Sequence, residues 1–481
     1  MKHHLFIEKN AGATASALAI CFLLLSGCAQ VPQLPLASSL AATPSFARVG
    51  VENASAAWPT DKWWLAYKDA QLSSLVGEAL TGSPSMAVAQ ARFENAMALL
   101  ESAGAVLKPQ GSVDASVAKA KQSYNNGIPA SFVPHGWNGS GAVQLSLSYD
   151  FDLWGGNRAA LNAATSSAQA AKADQAEARL VLSTKVAQAY ADLAQLYAEQ
   201  ETVARAVQVR TQTLELFSQR QRNGLETHGS VAQISATRSA AEAELLSIDE
   251  SISLQKNLLA YLVGAGPERA AAIVRPSMQV TPARGLPAGL QIDLLGRRPD
   301  VVAAKLRAQA AASRIGQARA AFYPNVNFSA LLGVQSLGLD LLAKSDSVMG
   351  SVGPAISLPL FDSGRLSGQY KASRAAYEEA VANYNDTVVA AIRQVADAAA
   401  RREALGRQLD KLDEAVEAAN EAYRVAQERY TGGLATYLDV LSAQETLLAN
   451  VRTLTQQRAR IFSTDIGLIH ALGGGYQSSE A

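Results

Sequence analysis

The sequence predicts a mainly helical fold with a little membrane-type β-structure, built as two internal repeats. Three observations carry this. Short motifs recur at fixed offsets. Gly224-Leu225-Glu226-Thr227 returns as Gly433-Leu434-Ala435-Thr436, 209 residues later, and Leu262-Val263-Gly264 returns at that spacing as Ala471-Leu472-Gly473. Pro84 and Pro109 return as Pro299 and Pro324, 215 residues on. Two stretches, Asn157 to Asn223 and Arg365 to Thr431, contain no Pro and little Gly; helices of about 60 residues would be roughly 90 Å long and suit coiled-coil rods. Finally, Val143, Leu145, Leu147, Tyr149 and Phe151 alternate without error with Gln144, Ser146, Ser148 and Asp150, the period of a strand with one apolar face.

The elements follow in order. Lys2 and Lys9 precede the apolar run Ala17 to Leu25, which is too short to span a bilayer and reads as a secretion signal. Leu25-Ser26-Gly27-Cys28 resembles the bacterial lipoprotein box, in which cleavage precedes a cysteine that takes diacylglycerol and an N-acyl chain. Cys28 is therefore the expected lipidation site. Residues 1–27 are the signal and 28–57 a Pro- and Ala-rich tether. Cys21 is the only other cysteine, so the mature chain can form no disulfide.

The first repeat is expected at 58–266. Trp63 and Trp64 read as a packing anchor. Residues 71–108 read as one helix, stopped by Pro109. Strands are expected at about 113–121 and 143–151, and a helical hairpin at 157–264. A Pro-rich linker, 267–290, leads to the second repeat, 291–474. There Pro299 to Phe322 read as helix, strands at about 326–334 and 352–360, and a hairpin at 365–472; 475–481 is a tail. Asp362 and Ser363 are placed to cap the second rod. Gly432 and Gly433 supply a left-handed turn at its far end.

Four strands with a lipid-type face cannot close by themselves. Unpaired amides are excluded from hydrocarbon, and bacterial barrels need at least about eight strands. Identical copies are implied. Val143, Leu145, Leu147, Tyr149 and Phe151 would face lipid, and Gln144, Ser146 and Ser148 a wet lumen.

These residues together resemble the TolC-type outer-membrane efflux duct family, in its lipoprotein (NodT-type) branch, which serves resistance-nodulation-division pumps. The resemblance rests on Trp63-Trp64 with Asp69, Leu72 and Leu75; on Tyr149 to Gly155; on Arg297-Arg298-Pro299-Asp300; on Pro359 to Arg365; and on Arg429-Tyr430 with Leu438-Asp439-Val440-Leu441. It implies a homotrimer whose strands form a 12-stranded outer-membrane β-barrel and whose hairpins form a periplasmic α-barrel. It also implies a periplasmic adaptor, an inner-membrane pump and outer-membrane lipids as partners. Asp439 matches an acidic position facing the closed aperture, and Tyr430 an aromatic that holds the tip shut. The turns at Gly224, Leu225, Gly432, Gly433 and Leu434 match the adaptor-docking ends. The basic and acidic latch residues of well-known members fall at Ala435 and Ser230, so closure here is expected to use packing, hydroxyl contacts or other residues. His228 lies near the first tip, where an exposed, silent histidine is expected rather than a pH sensor.

Lys+Arg and Asp+Glu balance at 42 each, so no basic field marks a nucleic-acid binder. No phosphate-cradling loop, zinc-protease helix or nucleophile elbow is present, and the five histidines are scattered; no enzyme, metal site or cofactor is expected. The functions left are an efflux duct for small molecules, a metal-ion or type I protein-secretion duct of the same build, and a structural rod that bridges the envelope.

Overall fold

The computed structural model describes residues 31–35, 39–40, 57–125, 127–278, 287 and 295–478. Cys28, the signal, most of the tether and much of the linker lie outside them. The described residues divide between two compact units. One comprises 1–40, 94–171 and 304–384; the other comprises 41–93, 172–303 and 385–481.

The elements in chain order are α1 (Ala70–Gly82), α2 (Pro84–Ala105), β1 (Gln110–Ala120), β2 (Asn138–Asp150), α3 (Gly156–Arg222), α4 (His228–Leu262), α5 (Pro267–Ala271), α6 (Pro299–Ala320), β3 (Asn325–Leu337), β4 (Val348–Ser357), α7 (Arg365–Thr431) and α8 (Tyr437–Ala471). The rods α3 and α7 each have 67 residues, and α4 and α8 each have 35. The repeat in the sequence is thus matched length for length.

In the first unit the strands form one antiparallel sheet in the order β1-β2-β3-β4. Registry explains the alternation. Leu145 lies opposite Val113 on one side and Leu332 on the other; Val143 lies opposite Ala115 and Val334. Ala330 faces Val352, and Val326 faces Ile356. Directly opposed residues share a face, so one face is apolar across all four strands. Opposite it stand Gln144, Ser146 and Ser148, paired with Asp114, Ser112 and Gln110. The apolar face is bare: Leu145 is 40% exposed and Val352 is 71% exposed.

A satellite core in this unit joins Phe322, Leu366 and Tyr370, with Val31 and Leu34 packed on it. Arg374 fixes that early segment by donating to the Pro35 carbonyl at 2.7 Å.

The second unit holds the main core. Trp63, Tyr67, Leu72, Leu75, Tyr190, Leu259 and Ile466 are all buried there. Asp69 caps α1 by accepting from the Leu72 amide at 2.9 Å, and also takes bonds from Tyr190 Oη (3.0 Å) and from the Ser277 amide (2.9 Å). Burial pushes its carboxyl up, but these donors outweigh burial and hold it below the usual range.

Four expectations need correction. The single helix at 71–108 is two, because Pro84 forces Ser83 into an extended conformation (φ −70°, ψ 132°) that ends α1. β2 begins at Asn138 rather than about 143, because Gly141 lets Leu339 and Leu342 close over it. β4 spans Val348–Ser357, so Leu358 and Leu360 fall beyond it, next to Pro359. At the start of α7 only Asp362 caps, accepting from Gly364 (3.0 Å) and Leu366 (2.7 Å), whereas Ser363 takes a left-handed backbone (φ 53°).

Asp152 does the same for α3. Its carboxylate accepts from the amides of Asn157 (2.8 Å) and Arg158 (2.9 Å).

A buried charged cluster also lies in the second unit. Arg298 donates to both oxygens of Asp300 (3.0 and 2.6 Å), to Gln394 Oε1 (2.8 Å) and to the Ala471 carbonyl (3.2 Å). Glu177 lies 3.8 Å from His470. Burial, then the Asp300 charge, pushes the Glu177 carboxyl up to about 7, and burial lowers the His470 imidazole. Burial thus works against the charged form of both groups in this contact, and Glu177 stays largely protonated below about pH 7.

Below about pH 4.5 the Glu177 carboxyl is neutral in both folded and unfolded chains; above about 7 the folded chain carries a costly charge. Wild-type stability should fall across that window. Glu177→Gln should be the more stable form near pH 8, by on the order of 2–3 kcal/mol, with the gap closing near pH 4.5. Thermal unfolding at both pH values checks this; a gap independent of pH would refute it.

Candidate functional site

The tips of the two hairpins lie in the second unit and are built alike. Each rod ends in a six-to-one turn: Leu225 N donates to the Arg220 carbonyl and Leu434 N to the Arg429 carbonyl, both at 2.8 Å. Gly224 and Gly433 each adopt φ 72°, the left-handed conformation that closes a helix at little steric cost. Gly432 does not. The expected glycine pair is a single glycine, with Gly432 continuing the last turn by bonding to the Glu428 carbonyl.

Leu225 and Leu434 point outward, 64% and 74% exposed. Thr227 then caps α4 by accepting from Ser230 N at 3.1 Å. At the second tip the Asp439 carboxylate accepts from both N and Oγ1 of Thr436, each at 2.8 Å. The Thr436 hydroxyl and then its amide hold that carboxyl below its usual range. Asp439 is thus a fixed, exposed negative charge and a capping group together, a pairing the spacing Thr436-x-x-Asp439 could have disclosed.

The first hairpin is clamped to the second by aromatic and charged side chains, of which the sequence reading named Tyr430 but missed Phe217, Tyr437, Arg220 and Glu226. Phe217 of α3 is fully buried. Its ring lies 4.1 Å from Tyr437 and 6.4 Å from Tyr430, nearly parallel to the latter at 14°. Arg220 sits over the Tyr430 ring at 5.5 Å, and its Nε is 3.6 Å from Glu226 Oε1. Tyr430 Oη donates to the same Glu226 oxygen at 3.4 Å. Burial raises the Tyr430 phenol, so it keeps its proton and can donate. Ser230 takes no part in an acidic latch; its hydroxyl meets Thr227 Oγ1 at 2.9 Å. Further along, Arg210 pairs with Glu445 and Arg452 with Glu244, again linking the hairpins.

The lipid-type residues Val143, Leu145, Leu147 and Phe151 are exposed, and Tyr149 is half-buried against Phe151, with ring centroids 5.4 Å apart. Gln144 and Ser146 are half-buried on the other face, and Ser148 is exposed there. Cys28 lies outside the described residues, three positions ahead of the docked Val31.

An open sheet with a bare apolar face, joined to paired helical rods of equal length, defines a channel component of a bacterial envelope. The chain belongs to the outer membrane efflux protein family, which matches residues 75–265 and 291–474.

The structure resembles that of the outer membrane protein VceC from Vibrio cholerae with a TM-score of 0.83. Their sequences are 49% identical, and the match covers 87% of this chain and 100% of that one. Multidrug resistance outer membrane protein MdtP of Escherichia coli K12 is 32% identical over 440 residues, 88% of each chain. Pyoverdine export outer membrane protein OpmQ of Pseudomonas aeruginosa PAO1 is 31% identical over 467 residues, covering 96% of this chain and 97% of the relative. The chain is an efflux duct of the outer membrane that extends into the periplasm, and its family consists of channels.

Proposed function

We propose that three copies of this chain form a passive, non-enzymatic conduit that takes small organic molecules from a periplasmic adaptor and inner-membrane pump to the exterior. The observation that carries the assembly of identical copies is the pair of bare sheet edges. Among the described residues the outer edges of β1 and β4 pair with no further strand, and the meander runs the two strands in opposite directions. The last strand of one copy can therefore pair antiparallel with the first strand of the next. Two copies would supply eight strands and three twelve, both within the range of membrane barrels; the family resemblance favours three. Relatives named for multidrug resistance and pyoverdine export support organic cargo.

Cysteines placed singly and together at Ser116 in β1 and Ser351 in β4 test the closure. The double variant should give dimer and trimer bands on oxidation, and neither single variant should give the trimer. Monomer throughout would refute it.

Residue roles follow. Cys28 carries the acyl anchor after removal of 1–27, and residues 28–57 tether it; the docked Val31–Pro35 segment ties that anchor to the unit holding the sheet. Leu225 and Leu434, presented by Gly224, Gly433 and the adjoining Gly432, are the adaptor-docking apices. Tyr430 works with Arg220 and Glu226 to hold the aperture shut, in place of the latch pair absent at Ala435 and Ser230. Asp439 sets the charge of the mouth.

Asp439→Asn keeps an acceptor for Thr436 and removes the charge. It should reduce cation preference, read as a shift of reversal potential in planar bilayers under a salt gradient; an unchanged reversal potential would remove Asp439 from the mouth.

A further inference from the structure

The chain as a whole is electrically balanced, yet one cleft in the second unit is not. It has a volume of about 610 Å³ and is lined by α3, α7 and α8. Lys185, Arg393, Arg401 and Arg460 reach it, against one carboxylate, Asp397. Asp397 already pairs with Arg393 at 3.1 Å. Among the described residues Arg460 bonds only the neutral amide of Gln457, at 3.1 Å. Lys185 and Arg401 make no ion pair among the described residues. Like charges gathered without counter-charges repel, so the arrangement is short of an anion. Ser463, also in the wall, accepts from Gln188 Nε2 at 2.8 Å, which leaves its own proton free to donate.

We infer that this cleft binds an anion bearing two or more carboxylates. Its volume falls in the range of small-ligand sites, roughly 300–1,000 Å³. Its cations come from three different helices, which suits separated carboxylates better than one compact phosphate. The planar forks of Arg401 and Arg460 match carboxylate geometry. Two sources share this chemistry: a soluble oligocarboxylate in the periplasm, and the carboxylate-rich stem peptide of the cell wall. The inference rests on the cleft and not on the gate or the trimer.

The test is titration calorimetry of the full chain in detergent at low salt, with citrate as one probe and a soluble disaccharide-tetrapeptide as the other. At least one probe should bind saturably. K185E/R401E should weaken that binding by about tenfold or more, as expected for the loss of two charge-assisted contacts. R407E, a charge reversal outside the cleft, should leave it unchanged, and K185Q/R401Q should fall between if the reversal impairs folding. Tighter binding of the peptide assigns the site to the cell wall; tighter binding of citrate assigns it to a soluble anion. No saturable binding of either probe, or equal loss in R407E, overturns the inference. Conductance of the unaltered chain tests the duct separately.

Discussion

Leu145→Arg should abolish insertion of the protein into the outer membrane. Leu145 lies between Val113 and Leu332 on the apolar face and is 40% exposed among the described residues. An arginine at the midplane on the lipid side of a barrel costs about 2–4 kcal/mol. In the proposed trimer that cost is levied in each copy, so the total is roughly threefold larger. The variant should be absent from the outer-membrane fraction and should yield no trimer on native gels.

Ser146→Arg is the matched control. Ser146 is the next residue along, on the opposite face, between Ser112 and Leu331. It should insert, and it should move the conductance toward anions. If the two substitutions behaved alike, the assignment of the faces would fail.

The second large effect is expected at the tips. Removing the Arg220 side chain and the Tyr430 hydroxyl together, as Arg220→Ala/Tyr430→Phe, deletes the cation over the ring, the 3.6 Å approach to Glu226 and the 3.4 Å hydrogen bond. The aromatic stack on Phe217 remains. Each polar contact is long and partly exposed, so each alone contributes little, roughly 1 kcal/mol or less. Together they bias a two-state element, and a bias of about 1.4 kcal/mol is a tenfold change in population.

The double variant should therefore show a several-fold higher open probability in planar bilayers, and each single variant a smaller rise. Open probability equal to wild type in the double variant would show that closure rests on the Phe217–Tyr437 packing and the Arg210–Glu445 and Arg452–Glu244 pairs instead.

Much of the fold was legible because its rules are periodic. The faultless alternation from Val143 to Phe151 announced a two-faced strand, and long runs without Pro announced the rods. Element ends were less legible where a tertiary contact decided them. The first residues of β2, Asn138 to Ala142, are small or polar and look like loop; they extend because Leu339 and Leu342 from the β3–β4 connection cover Gly141. Ser83 looked like helix because nothing apolar is interrupted there.

Of the site, the turn glycines Gly224 and Gly433 were readable from local sequence, whereas Tyr430 and Asp439 were singled out only through the family resemblance. Arg220 and Glu226 were found by neither route. Their role depends on the rotational phase of α3 against α7, set some 200 residues apart in the chain, where Glu226 and Tyr430 meet. A single residue of helical phase, roughly 100°, would turn Arg220 away from the ring.

The two rods are equal in length, as are their return helices. Insertions and deletions here are therefore constrained in pairs. A turn added to one rod alone would leave a ragged rim and carry Arg220 past Tyr430, whereas the same turn added to all four helices would lengthen the whole conduit and keep its mouth flush.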